Sequence, residues 1–392
     1  MLDFHDALNI LQNTDFRMPL EIIDIEDSYR RILCEEASSD IDMPPFDKSA
    51  MDGYACRKAD IANKLEVIGT LYAGSSENYT VEPGTCVKIM TGAPIPKGAD
   101  TVLMIEHTEQ LSPNSIVFKG KSTKANICYR GEDVRTGDVL LKKGTLLEPH
   151  AMAILASAGY AKVSVSKLPQ VAIVSTGSEL VPPATKPTPA QIRNSNAYNL
   201  IGQLHSAGIA GHFTGILPDE KELIKQHIVQ LTEKYDILII TGGASQGEHD
   251  FIPQLLSELN FEMQFDKLAL QPGKPVSFAY GSNKFCFGLS GNPVSSYIQF
   301  EILVKPFLYH IMHHSYEFPI LFSELAHSMH RKNASRLKFF PVRFTSDGKI
   351  EEIHFNGSAH IAGLTGADGF GLFPRDCEAL DAGDKIEMLL LK

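Results

Sequence analysis

The sequence predicts a multidomain α/β-plus-β protein: a three-layer α/β sheet domain, a β-rich lid module, a linking helical/β domain and a small C-terminal β-barrel. Three observations lead there. From Pro169 onward, continuous apolar runs alternate with helical segments, the pattern of strands covered on both faces and joined by helices. Between Met43 and Asp133, short strand-like pieces are broken by Gly, Pro, Asn and Ser, which reads as a compact β module with long loops. After Tyr316 the texture is β again.

Residues 1–35 read as helical at both ends, and Ile25–Ala37 places apolar and small residues at helical spacing. The module from about 43 to 135 carries VIGTLYAG, CVKIMTGA, TVLMIEHTEQ and SIVFKG as strand candidates. A helix is expected from Pro149 to Ser157, with Gly159 just past its end. In the α/β region, QVAIVS (170–175) is a buried strand, Ser195–Ala207 a helix and AGHFTGIL a second strand. Lys221–Lys234 is a helix opened by Asp219 and Glu220, and DILIIT (236–241) a third strand. PQLLSELN, EMQFDKL, PVSFAYG and KFCFGLS (284–290) follow, then a helix from Pro293 to His313. KFFPVRFTS, KIEEIHF, FGLFP and DKIEMLLLK supply the barrel. The boundaries read as 1–168, 169–316 and 317–392. The β module is inserted in the first region, whose first helix is expected to pack on the α/β domain. PPATKPTPAQ (182–191) is a loop of that domain, because the same sheet needs the helix that follows.

The chain has 392 residues, enough for two to four domains, and 43% of them are hydrophobic. Its net charge of −11 offers no basic field to nucleic acid, yet suits a small anion held locally or a divalent metal. No apolar run approaches the roughly 20 residues that cross a bilayer. MLDFHDALNILQNTDF lacks the basic and apolar regions of a secretory signal. The expected location is therefore cytoplasmic, without membrane or nucleic-acid partners. The six cysteines form no CxxC pair, so they read as plain thiols. His310, His313 and His314 have a spacing that admits a metal, but no acidic or cysteine partner is adjacent, and the helix dipole alone favours them.

In an open α/β sheet, ligands bind outside the carboxyl ends of the strands. Three predicted strands end in suitable loops: Thr176-Gly177-Ser178-Glu179, GGASQGEHD (242–250) and Ser290-Gly291-Asn292-Pro293. Gly242, Gly243, Gly247 and Gly291 let backbone amides approach a phosphate, and Pro293 suits a first helical turn. The alternative is tight turns that merely cap strands. Glu179 and Asp250 fall on these loops and Asp219 at the end of the second strand; together they suggest Mg²⁺ shared with substrate phosphates, although Asp219 could equally be a helix N-cap. Lys267 and Lys274 flank a Pro-Gly turn, where a lysine can neutralise an oxyanion or be a solvated surface cation. In the β module, Asp47 and Asp52 lie in PPFDKSAMDGYA, Thr91 in IMTGAPIP, and Arg130, Glu132 and Asp133 in RGEDV. Each alone could be a turn with a solvated charge; together, on loops of one module facing a second domain or subunit, they look like a lid. No GxSxG, HExxH, Walker A or GxGxxG is present, which weighs against several common enzyme classes.

PPFDKSAMDGYA, IMTGAPIPKGAD, RGEDV, VSTGSEL, TGGASQGEHDF, LALQPGKP and LSGNPVSS occur in that order. The chain so resembles the MoeA family of molybdopterin molybdenumtransferases, also found as the C-terminal domain of gephyrin, from about residue 5 to the end. The resemblance implies an α/β domain of the molybdopterin-binding type, four domains in all and an elongated homodimer. It places the site between the α/β domain of one subunit and the β module of the other. It implies molybdate and adenylylated molybdopterin as substrates, Mg²⁺ assisting, AMP and cofactor as products, and transient contact with a molybdopterin adenylyltransferase. By motif, the catalytic set is Asp52, Thr91, Glu179, Asp219 and Asp250. The substrate-binding set is Gly242, Gly243, Ser245, Gly247, Lys267, Lys274, Gly291, Asn292, Pro293 and Asp133. Arg336 and Ser358 are further oxyanion candidates. Ser290 stands where the family block has proline, Gln271 where it often has lysine, Cys128 where arginine is usual, and Ser178 where an acid is usual. These departures lower the expected attraction for anions and metals. They leave a scaffold without transfer activity, or a hydrolase of a related phosphoanhydride, as other readings.

Overall fold

The computed structural model describes residues 1–242, 252–354 and 357–391. The chain forms two compact units. One comprises Met1–Glu35, Gly144–Pro149 and Lys162–Lys392, the other Glu36–Lys143 and His150–Ala161.

The first unit is built around a six-stranded sheet in the order Gly211–Leu217, Val171–Thr176, Ile237–Thr241, Lys284–Leu289, Pro275–Gly281, Glu262–Lys267. The first four strands are parallel and the last two join antiparallel. The apolar runs explain the layers. Strands 171–176 and 237–241 are buried at every position. Ile173, Ile237 and Ile239 face one core, while Ala172, Val174, Leu238 and Ile240 face another. Successive strand side chains point to opposite faces, so a run with no polar alternation must be covered twice. Each such isoleucine contributes roughly 1.5–3 kcal/mol by leaving water.

On one face lie the helices Asn196–Ser206 and Pro293–Gln299, and on the other Lys221–Lys234 and Ile252–Glu258. The first helix, Phe4–Gln12, starts where the Asp3 carboxylate accepts the His5 amide. It buries Phe4, Ala7, Leu8 and Leu11 in the first of these cores. His310, His313 and His314 each address a different backbone carbonyl: those of Thr14, Met18 and Gly144, at 3.0, 2.9 and 2.7 Å. They pin neighbouring segments to the end of the last helix rather than converge.

Two elements differ from the sequence expectation. No helix covers 25–37. Leu20–Asp24 is a strand antiparallel to Lys162–Ser166, followed by a single 3-10 turn at Ile25–Asp27. Ile32, Leu33 and Cys34 are consecutive and all buried, and their backbones bond to segments 145–147 and 164–166. Three adjacent buried residues cannot share one face of a helix. The expected helix 293–313 is also not uniform. A π turn, Phe300–Val304, separates Pro293–Gln299 from Lys305–Ile311. Pro306 lacks the amide that would bond the carbonyl of Ile302, and the ladder loosens just before it.

The C-terminal sheet has the order Leu270–Gln271, Leu337–Phe344, Gly369–Phe373, Lys385–Leu390, Ile320–Glu324, with Ile350–Glu352 beside 337–344. Leu325 bridges Ile350, which closes the circuit into a small barrel around Phe340, Val342, Phe373 and Met388.

The second unit holds another six-stranded sheet: Thr101–Met104, Gly53–Cys56, Thr85–Ile89, Lys64–Leu71, Ser115–Phe118, Thr108–Ser112. Tyr54, Cys56, Leu65, Cys86, Leu103 and Ile116 fill one side, and Ala55, Val87, Ile89 and Val102 the other. The short pairs 48–49 with 127–128 and 37–38 with 139–141 form separate two-stranded sheets. The helix Pro149–Ser157 forms where expected. Among the described residues, no helix is long and apolar enough to cross a membrane.

Candidate active site

The carboxyl ends of the parallel strands open onto a cleft of about 740 Å³. Its walls include Thr176, Gly177, Glu179, Arg193, Asn194, Asn196, Asp219, Thr241, Gly242, Ser290, Gly291, Asn292 and Pro293, with Ala359 and Ile361 from the C-terminal region. The structure therefore brings together six of the predicted residues: Glu179, Asp219, Gly242, Gly291, Asn292 and Pro293. Gly243, Ser245, Gly247 and Asp250 lie outside the described residues.

Each wall has a local cause. Gly242 follows the third parallel strand with φ +91°, and a Cβ there would lie 2.2 Å from the Thr176 carbonyl oxygen. No other residue fits that turn. Gly291 faces it: a Cβ on Gly291 would lie 3.6 Å from the Gly242 Cα. Two bare backbones thus form a narrow end of the cleft. The Glu179 carboxylate folds back toward Gly177, whose position for a Cβ is 2.7 Å from Oε2. The Asp219 amide reaches Ser178 Oγ at 3.5 Å. The N-cap of the helix 221–234 is Glu220, without a side-chain cap bond, so Asp219 does not cap it. Neither carboxylate has a hydrogen-bond or ion-pair partner among the described residues. Among those residues no group of three His, Cys, Asp or Glu side chains could hold a metal. Glu179 and Asp219 are a pair there.

Asn292 is the N-cap of Pro293–Gln299, but its side chain does not cap. Its Nδ2 donates to Ser358 Oγ at 2.9 Å, and the Val294 amide donates to the Ser358 carbonyl at 3.0 Å. Ser358 thereby joins the site. Arg336 donates at 3.4 Å to the Leu270 carbonyl, beside the loop that holds the lysines. Lys267 and Lys274 do not line the cleft. Lys267 lies 3.7 Å from the Asp266 carboxylate, whereas Lys274 is half-buried with no ion-pair partner among the described residues.

Sequence reasoning passed over Arg193, Asn194 and Asn196. Asn194 Nδ2 donates to Ser175 Oγ at 3.0 Å, and Thr241 Oγ1 donates to the same atom at 3.2 Å. Asn196 Nδ2 donates to the Gly291 carbonyl at 2.8 Å. Arg193 reaches the Thr185 carbonyl through Nε at 3.1 Å. The polar run RNSN directly before a helix was the available signal.

In the other unit, the Thr91 amide and hydroxyl both donate to Asp52 Oδ1, at 2.7 and 2.8 Å. These two bonds, the amide first, hold the Asp52 carboxyl below its usual range. The RGED turn is organised by other acids. Arg130 Nε donates to Asp42 at 2.7 Å and its amide to Asp47 at 2.8 Å. The Thr136 amide, then Arg130 and the Thr136 hydroxyl, lower the Asp42 pKa to about 2. Asp133 is exposed, and its amide donates to the Met43 carbonyl at 3.1 Å.

Three family models match the chain in order. They are the MoeA N-terminal region (domain I and II) over residues 2–159, a "Probable molybdopterin binding domain" over 172–310, and the MoeA C-terminal region (domain IV) over 325–391. The chain is 34% identical to a molybdopterin molybdenumtransferase of Staphylococcus aureus (strain Mu50), over 98% of this chain and 94% of the relative. It is also 34% identical to one of Bacillus subtilis, over 95% and 90%. Among solved structures it is similar to the molybdopterin biosynthesis MoeA protein of Pyrococcus horikoshii OT3, with a TM-score of 0.83, 28% identity and full coverage of both chains. A second MoeA structure from Pyrococcus gives a TM-score of 0.79 at 32% identity, covering 100% of this chain and 99% of that one. With its three regions matched in order and these relatives aligned nearly end to end, the chain belongs to the MoeA family.

Proposed function

We propose that this protein transfers molybdenum from molybdate to adenylylated molybdopterin and releases AMP, a step of molybdenum cofactor biosynthesis. One observation carries the reading beyond the family: Glu179 and Asp219, both without partners among the described residues, line the same cleft as the bare-backbone turns at Gly242 and Gly291. That arrangement suits a pyrophosphate, because glycine lets amides approach phosphate oxygens and the acids suit a shared divalent cation.

The proposed division of labour follows the motifs. Gly242, Gly243, Ser245, Gly247, Gly291 and Asn292 hold the phosphates, and Pro293 fixes the start of the helix behind them. Lys274, and Lys267 less directly, neutralise an oxyanion as point charges. Asp52, set by Thr91, positions substrate or moves a proton, and Asp133 supports the same lid. Mg²⁺ would be held by Glu179 and Asp219, with Asp250 as the third carboxylate, and would supply charge neutralisation at the pyrophosphate oxygens. The all-oxygen donor set fits that ion. The lid module, about 43–135 within 1–168, serves the α/β domain (169–316) of a second copy in a homodimer. The C-terminal domain (317–392) supplies Ser358 and Arg336. The pterin arrives from an adenylyltransferase by transient contact in the cytoplasm.

The test gives purified protein adenylylated molybdopterin and Mg²⁺, with and without molybdate, and follows AMP release and activation of an apo-molybdoenzyme. AMP release that depends on molybdate, with active cofactor formed, is the expected result. Tight pterin binding without release would make the protein a scaffold, and release indifferent to molybdate would make it a hydrolase.

A further inference from the structure

We propose that Gln299 is a positioning residue for this reaction, a buried clamp that fixes the Lys274 loop against the Asn292 turn. Gln299 closes the helix Pro293–Gln299 and is fully buried. Its Nε2 donates to the carbonyls of Gly273 and Pro275, at 2.9 and 2.7 Å. Those two carbonyls flank Lys274 on either side. Its Oε1 accepts the Ser290 amide at 2.8 Å. Ser290 Oγ in turn accepts the Asn292 amide at 3.3 Å, and Asn292 Nδ2 reaches Ser358 Oγ at 2.9 Å. One carboxamide therefore ties the lysine-bearing loop to the turn that carries Asn292, and through it to the C-terminal loop.

The donor and acceptor ends are not interchangeable. Both amide protons face carbonyls, so the oxygen must face the Ser290 N–H. The fit is close: Gly273 has φ +102°, and a Cβ there would lie 3.0 Å from Gln299 Nε2. Ser290 matters for the same reason. A proline at 290 would have no amide to offer and would leave Oε1 without this bond. In a buried site each of these bonds is costly to leave unmade, so the clamp holds its geometry tightly. Gln299 does not line the cleft. It acts by fixing where Lys274 and Asn292 stand, and small displacements of such groups are expensive in rate.

The proposal rests on the phosphate-site reading above, so the experiment separates the two. Full-length wild type, Q299M and Q299E are compared by hydrogen exchange at the Ser290 amide and across 268–275, by binding of inorganic pyrophosphate, and by kcat and KM for AMP release. In Q299M, which keeps the length but no hydrogen bond, Ser290 should exchange at least about tenfold faster. Pyrophosphate should bind about tenfold more weakly, and kcat should fall by roughly 10–100-fold, with a smaller change in KM. Q299E keeps an acceptor for Ser290 and loses both donors when ionised, or one when protonated, so it should protect Ser290 and still loosen 268–275. If Q299M does not fold, Q299E decides alone by that split. Unchanged exchange at Ser290 in Q299M, unchanged pyrophosphate binding and kcat despite faster exchange, or equal loosening of both segments in Q299E would overturn the clamp. If wild type released no AMP while pyrophosphate binding still depended on Gln299, the transferase reading would fall and the clamp would stand.

Discussion

The cleft of the α/β domain and the Asp52 loop of the β module both present polar groups, but they hold them by different means. Around the cleft the shaping side chains are buried and bond across distant turns, Asn194 to Ser175, Asn196 to the Gly291 carbonyl and Gln299 to the Ser290 amide, and Asn194, Asn196, Ser290 and Gln299 are all below one-tenth exposed. In the β module Asp52 is exposed and Asp42 half-buried, and each is held at a turn, Asp52 by Thr91 and Asp42 by Arg130 and Thr136. A buried polar group without its partner costs about 1–3 kcal/mol, whereas an exposed one exchanges its partner for water. The cleft is therefore built to keep one geometry. The loop carries an ionised acid with little commitment to the rest of its unit.

That contrast is sharpest at the cleft acids. Asp219→Ala or Glu179→Gln should lower AMP release by roughly 10²–10³-fold with an unchanged melting temperature, since neither carboxylate bonds to a described residue. A loss below tenfold would remove them from the chemistry. Gly242→Ala comes next and should strike stability instead. The left-handed φ and the 2.2 Å approach to the Thr176 carbonyl predict a loss of about 1–3 kcal/mol in a denaturant melt. In the β module the effects should be smaller. Thr91→Val removes one of two bonds to Asp52, so turnover should fall about tenfold while stability holds. Because those bonds depress the Asp52 pKa, the acid limb of the pH–rate profile should move to higher pH. An unmoved limb would separate Asp52 from the rate-limiting proton.

Asp42→Asn tests the same kind of site by stability. A carboxyl depressed to about 2 stabilises the fold above its unfolded pKa, near 4, and that contribution is lost as pH falls through 2. The variant should be less stable than wild type at neutral pH and indistinguishable from it near pH 2. A difference that persisted there would point to lost packing. The smallest effect concerns the thiols. Burial pushes Cys56 and Cys86 up to about 12 and Cys286 further still, so these three should resist alkylation until the chain unfolds. Cys128 and Cys377, only half-buried, should react first.

Much of the α/β domain was legible in the sequence because each signal was local. QVAIVS and DILIIT have no polar alternation, so they had to be doubly covered strands. The helices expected at Ser195–Ala207 and Lys221–Lys234 formed as Asn196–Ser206 and Lys221–Lys234. Where a local signal misled, a nonlocal bond had won. The spacing in 25–37 suited a helix, but Ile32–Cys34 found backbone partners more than a hundred residues away, at 145–147 and 164–166.

By itself, the sequence determined which segments must be buried, which turns follow strands, and which acids and glycines sit on those turns. These properties depend on residues a few positions apart. Only the tertiary structure decided which turns meet. Asn196 bonds to a carbonyl 95 residues away, Asn292 to a hydroxyl 66 away and Gln299 to a carbonyl 26 away. A parallel sheet gathers the ends of distant strands at one edge. A side-chain amide carries no mark in the sequence of the carbonyl it will find there.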